Sequence, residues 1–282
     1  MISHNSRNQT GFTLVELMVS ILISSVMIGV ALSQLLGSRT LFALQEADSL
    51  IEDNARYALE VLLSASAKAG YVDSLDDGQE PVFSQFFGAV CEAAYTPCTD
   101  DGAGTNPDHI AIWHNPPAGA ANEITCAGIA LATASSRKYG IIDLFYVDTA
   151  TSSLKCRSYS VNTDGTLSVS YIIGSDQTIV DGIANMQILY GITELGTSGD
   201  RPERYVSAST LEDYDDASDY YTKWTRIVSV KITLLAGTGF DDNMSPRANA
   251  SYNLADAPAI TPNDNNRRKI FSGTTALYNA NL

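Results

Sequence analysis

Several residues in this 282-residue chain have types and spacings that could do chemistry. Glu16 is a lone carboxylate in the stretch "TGFTLVELM", at the head of an apolar run. Cys91, Cys98, Cys126 and Cys156 form an even set of four. His109 and His114 flank "HIAIWH", and Asp213, Asp215, Asp216 and Asp219 crowd the segment "EDYDDASDYY". Each set has its own chemistry: an ion pair in lipid for Glu16, two disulfides for the cysteines, and a metal for the histidines or acids.

The cysteines lie downstream of the apolar run, which reads as two disulfides in an oxidising compartment. No C-x2-C pair supports a zinc site or a dithiol redox centre. Three connectivities are open, with local pairing of Cys91 to Cys98 and Cys126 to Cys156 preferred. His109 and His114 are five apart on a strand-like segment, so they point to opposite faces and cannot share a metal directly. The acidic segment offers oxygen donors suited to calcium but lacks the glycine and terminal glutamate of an EF-hand loop, so a solvated or partner-facing loop is the expectation. No G-x-S-x-G, P-loop, H-E-x-x-H or G-x-G-x-x-G occurs, and the chain is not expected to be an enzyme or to carry a cofactor.

Composition narrows the partners. The net charge of −15 and pI near 4.4 disfavour nucleic acid, and the cluster Arg267, Arg268, Lys269 is too small to offset that background. With 45% hydrophobic residues the chain can bury a sizeable core.

These residues need elements to position them. No charge occurs from Leu17 to Ser38, a span long enough to cross about 30 Å of hydrocarbon as a helix. Beyond Ser38 the pattern turns amphipathic: Leu41, Leu44, Asp48, Ile51, Ala55, Leu59, Leu62 and Ala69 recur at helical spacing up to Gly70. One helix of nearly sixty residues is predicted. The body reads as strands at 109–114, 140–147, 153–161, 166–173 and 225–236, with "NTDG" at 162–165 as a hairpin turn. In the last strand Val228, Val230, Ile232 and Leu234 should face a core, and Ser229, Lys231 and Thr233 solvent. The predicted fold is α+β: a long N-terminal helix, transmembrane in its first half and amphipathic in its second, packed on an antiparallel β-sheet.

The leader "MISHNSRNQTG" carries a single Arg7 and no A-x-A site follows the apolar run, unlike a secretory signal peptide. "GFTLVELMVSILISSVMIGVAL" resembles instead the class III signal and N-terminal helix of type IV pilin-like proteins. "DNARYALEVLLSASAKAGY", "FYVDTATSSLKCRSYS", "IVDGIANMQILYGI", "WTRIVSVKITLLA" and the closing "RRKIFSGTTALYNANL" are similar to blocks of PilW-type minor pilins.

That resemblance implies cleavage by a prepilin peptidase between Gly11 and Phe12, N-methylation of Phe12, and an assembly role for Glu16 opposite the cleaved amine of a neighbouring subunit. It divides the chain into a leader at 1–11, an anchor and assembly half-helix at 12–38, an amphipathic half-helix at 39–70 and a β-rich domain at 71–282. It implies a minor pilin that helps initiate pilus assembly in a tip or priming complex. Its partners would be other minor pilins, the major pilin and the inner-membrane assembly platform, with a tip adhesin as a further candidate. The globular domain would be periplasmic before assembly and at the cell surface afterwards. The alternative is a J-type minor pseudopilin of type II secretion.

Overall fold

The computed structural model describes residues 11–71, 99–114, 124–129, 141–161, 169–193, 201–212, 224, 226–238, 250–264 and 266–279. Cys91, Cys98, the "NTDG" turn and the four acids from Asp213 to Asp219 lie outside these residues. By internal contacts the chain forms two compact units, Met1–Asp48 and Ser49–Leu282.

A single helix, α1 (Leu14–Ala67), accounts for most of the first unit and opens the second. In the first unit its large side chains are exposed, from Leu14 and Val15 through Ile21, Val26 and Leu36 to Leu41. Hydroxyls in this stretch fold back on their own backbone: Ser20 Oγ donates to Glu16 O at 2.7 Å, Ser25 Oγ to Leu22 O at 2.8 Å and Ser33 Oγ to Val30 O at 2.8 Å. Serine is tolerable in an apolar span when its proton is satisfied in this way.

In the second unit α1 buries one stripe: Ile51, Ala55, Ala58, Leu62 and Ser66, followed by Ala69. Burial therefore begins at Ile51, and Leu41, placed on the same stripe by its spacing, is 62% exposed. The helix ends where Gly70 takes a left-handed φ of 72° and its N–H donates to Trp113 O. Asn279 Nδ2 reaches back to Ala67 O and Ala69 O, satisfying carbonyls that a helix end leaves unpaired.

Among the described residues the strands form two antiparallel four-stranded sheets rather than one. The first is the meander β1 (Ile110–His114), β2 (Ile141–Asp148), β3 (Ser153–Val161) and β4 (Val169–Asp181). The second has the order β6 (Arg204–Val206), β5 (Ile183–Ile192), β7 (Ile227–Gly237) and β8 (Arg268–Ala276), and the short helix α2 (Ala208–Glu212) follows β6. β4 continues well past the expected end at residue 173, to Asp181. One residue then separates the sheets. Gly182 has φ 84°, and a Cβ there would lie 2.6 Å from Gly237 O. Only glycine fits a left-handed position with another backbone this close.

Cross-strand partners in sheet two share faces. Met186 with Leu234, Ile188 with Ile232 and Tyr190 with Val230 join the α1 stripe, Phe145, Leu154 and Cys156 in one apolar core. Gly273 in β8 lets Leu63 come close, since a Cβ there would meet Leu63 Cδ1 at 2.7 Å. The opposite face of β7 was expected to meet solvent. Instead Ser229, Thr233 and Leu235 are buried and only Lys231 is half-exposed. Residues 105–108 pack along the neighbouring β5, whose Asn185 and Gln187 share that face. Asn185 Nδ2 donates to Thr105 O and Gln187 Nε2 to Asn106 O, both at 2.9 Å. Asp108 N–H donates to Met186 O, and Ile188 N–H donates to Asp108 Oδ2 at 2.7 Å. This short segment thereby occupies hydrogen-bonding groups of β5 beyond its three-residue pairing with β6.

Candidate functional site

The N-terminal stretch is built from a capped helix start. Thr13 precedes the first helical residue, and its Oγ1 accepts from the Glu16 N–H at 3.4 Å, while Leu17 N–H donates to Thr13 O at 3.2 Å. Thr13 and Glu16 thus stand at the two ends of a T-x-x-E capping-box spacing, with the threonine half formed. Glu16 is the acid of the first turn, where the helix dipole favours negative charge. Gly11, Phe12 and Glu16 are all exposed, Phe12 at 80%. The apolar window of α1 has a mean hydropathy of 2.3 with none of it buried, so the helix is long and apolar enough to cross a membrane.

A second constellation lies in the β-rich unit. Cys126 and Cys156 form a disulfide with Cα atoms 6.0 Å apart, tying the segment 124–129 to β3. Beside it, Asp143 on β2 holds three groups. Its Oδ1 accepts from Ser158 Oγ at 2.6 Å and from Cys126 N–H at 3.4 Å, and its Oδ2 lies 3.1 Å from His114 Nε2. Ala127 N–H donates to Ser158 Oγ at 3.3 Å. The side chains of Asp143, Ser158 and His114 are buried, as buried polar groups with partners can be.

Serine, aspartate and histidine in contact suggest a hydrolytic triad, but the order is wrong for one. In a triad the imidazole sits between hydroxyl and carboxylate, taking the proton from the nucleophile. Here the carboxylate sits between. Ser158 gives its proton to an acid that already serves His114, so the arrangement clamps β1, β2, β3 and the 124–129 segment together.

Residues 144–279 match the family described as type IV Pilus-assembly protein W, and residues 6–32 match the Prokaryotic N-terminal methylation motif. Together the two matches support a PilW-like type IV minor pilin. No curated protein matches the chain. The first match runs from β2 through β8 to Asn279, so it takes in most of both sheets and the residue that caps α1. The second takes in Gly11, Phe12, Glu16 and the exposed apolar helix.

The remaining candidate residues fall apart in space. His109 lies outside β1, pairs backbone to backbone with Asp100, and has its ring 6.4 Å from that of Tyr146. Burial lowers its pKa, partly offset by Asp100. His114 points instead to Asp143. In the cluster 267–269, Arg268 is held by both oxygens of Asp264 at 2.6 Å.

Two features went unread in the sequence. The Thr13–Glu16 spacing is a capping-box pattern that lies within four residues of sequence. Asp143, Ser158 and His114 carry no local signal, since only strand register brings Asp143 opposite Ser158 on one side and opposite Ile112, two residues before His114, on the other.

Proposed function

We propose that this PilW-like pilin is a low-abundance subunit that helps initiate pilus assembly, within a priming or tip complex with other minor pilins. The observation that carries this reading is the pairing of an exposed, membrane-length helix under a prepilin methylation motif with a folded domain matching PilW. A prepilin peptidase would cut between Gly11 and Phe12 and methylate the amine of Phe12. Freed of its leader, the chain would begin one helical turn before Glu16. In lipid a carboxylate left alone is strongly disfavoured, so the acid would pair with the amine of a neighbouring subunit.

Before assembly the helix would anchor the subunit in the inner membrane with its β-rich unit in the periplasm. In the filament the same apolar surface would pack against other subunits and the assembly platform would drive the transfer. The role would be structural, not enzymatic: Asp143 between Ser158 and His114 supports this, because that order leaves no imidazole beside the hydroxyl to take and return its proton.

The test is deletion of the gene, with surface pili counted and type II secretion assayed separately. Lost pili with normal secretion is the expected outcome. Normal pili with lost secretion would instead identify a pseudopilin.

A further inference from the structure

We propose that Asp143 guards the Cys126–Cys156 disulfide against thiol exchange, by holding a carboxylate beside sulfurs that could be released only as thiolates. A cavity of about 210 Å³ opens between α1 and β1, lined by Val61, Lys68, Ile112, His114, Cys126 and Asp143. Through it a small thiol can reach Cys126, which is half-buried, whereas Cys156 is fully buried in the core. Exchange therefore begins at Cys126. The incoming thiolate sulfur bonds to Cys126 Sγ, the S–S bond breaks, and its electron pair leaves on Cys156. A second thiol then attacks the mixed disulfide, so that the reductant is oxidised and both cysteines end as thiols after taking up two protons.

The environment opposes the first step. Both sulfurs and a carboxylate oxygen of Asp143 lie within 4.8 Å of one another. A like charge and burial each disfavour a thiolate, and a thiolate that is hard to form leaves slowly. No hydroxyl proton compensates. Ser158 Oγ lies 3.2 Å from Cys126 Sγ, but its single proton is committed to Asp143 Oδ1. Ser158 thus turns lone pairs, not a donor, towards the sulfur. Lys68 and His114 are the cationic or protonatable groups on the same cavity, and His114 faces the other oxygen of Asp143.

Asp143 is a positioning residue here, and its charge can be separated from its packing. The full-length chain in detergent micelles is treated at low salt with 2-mercaptoethanesulfonate, an anionic thiol, and with cysteamine, a cationic one. The cross-linked peptide joining Cys126 to Cys156 is followed by mass spectrometry. Asp143→Asn is expected to lose the cross-link on the order of tenfold faster than wild type, with the larger acceleration for the anionic thiol. Asp143→Glu is expected to restore slow exchange. Equal acceleration with both thiols would assign the effect to packing and overturn the proposal. Unchanged rates, or no cross-link in the untreated chain, would overturn it as well. Should Asp143→Asn not fold, Asp143→Ser, which keeps an acceptor for the Cys126 N–H, is read by the same two rates.

Discussion

Asp108 shows how much one side chain can depend on its surroundings. It is buried, and its two oxygens accept from Gly102 N–H at 2.9 Å and Ile188 N–H at 2.7 Å. Burial pushes its pKa up to about 8 against the pull of those N–H groups, and the nearby Asp101 and Asp256 add to the rise. The folded chain therefore holds a proton that the unfolded chain has released above about pH 4. Its contribution to stability is present at low pH and is lost as pH climbs towards 8. Thermal unfolding of wild type should show this fall between pH 5 and 8, and Asp108→Asn should flatten it. An equally steep fall in the variant would remove Asp108 as the cause. Glu16 poses the complementary case, an exposed acid whose partner would lie on another molecule. Glu16→Ala should leave membrane insertion intact and weaken incorporation into pili, as measured by immunoblot of membranes against sheared filaments. Incorporation at wild-type level would refute the pairing of Glu16 with a neighbour's amine.

At the level of elements, the passage from β4 to β5 decides the architecture. A thirteen-residue strand ends at Asp181, and Gly182 turns the chain into the second sheet. Its N–H donates to Ser152 O at 2.8 Å and its carbonyl accepts from Gly237 N–H at 2.7 Å, so the turn is pinned to both sheets. Asn54 on α1 adds a bond from its side-chain amide to Asp181 O at 3.1 Å. Gly182→Ala would place a methyl group against the Gly237 carbonyl in a left-handed conformation, and should destabilise the β-rich unit by about 1–3 kcal/mol. Urea denaturation of the full chain in detergent checks this. An unchanged midpoint would mean the two strands can shift apart without loss. The disulfide works at the same scale, since it closes a loop with a sequence separation of 30 onto β3. Cross-links of that length typically stabilise by about 2–4 kcal/mol.

For the whole molecule, the apolar core belongs to the unit that starts at Ser49, while the large exposed aliphatic side chains from Leu14 to Leu36 belong to the other. A chain beginning near Arg39 keeps the full buried stripe of α1 and discards the membrane-length segment. It should be soluble without detergent and contain the Cys126–Cys156 cross-link. Gel filtration and peptide mapping check both properties, and persistent aggregation after oxidising refolding would count against this division.

What the sequence determined by itself was the periodic and the local. An uncharged run of membrane length, helical spacing up to Gly70 and alternation in "SLKCRSYSV" each depend on residues a few positions apart, so α1 and β3 were readable directly. The motif from Gly11 to Glu16 was readable for the same reason. Tertiary structure decided what depends on distant segments. The second face of β7 is buried, with Ser229 bonded to Tyr205 and Thr233 to Ser272, partners on other strands that an alternating pattern does not reveal. The chain passes from one sheet to the other at Gly182, against the Gly237 backbone, and a glycine in a strand pattern does not announce whose backbone it will approach. Asp143 became the centre of a buried cluster only when strand register set Ser158, His114 and the disulfide around it. A carboxylate takes its role from what lies within hydrogen-bond reach, and that is a property of the fold.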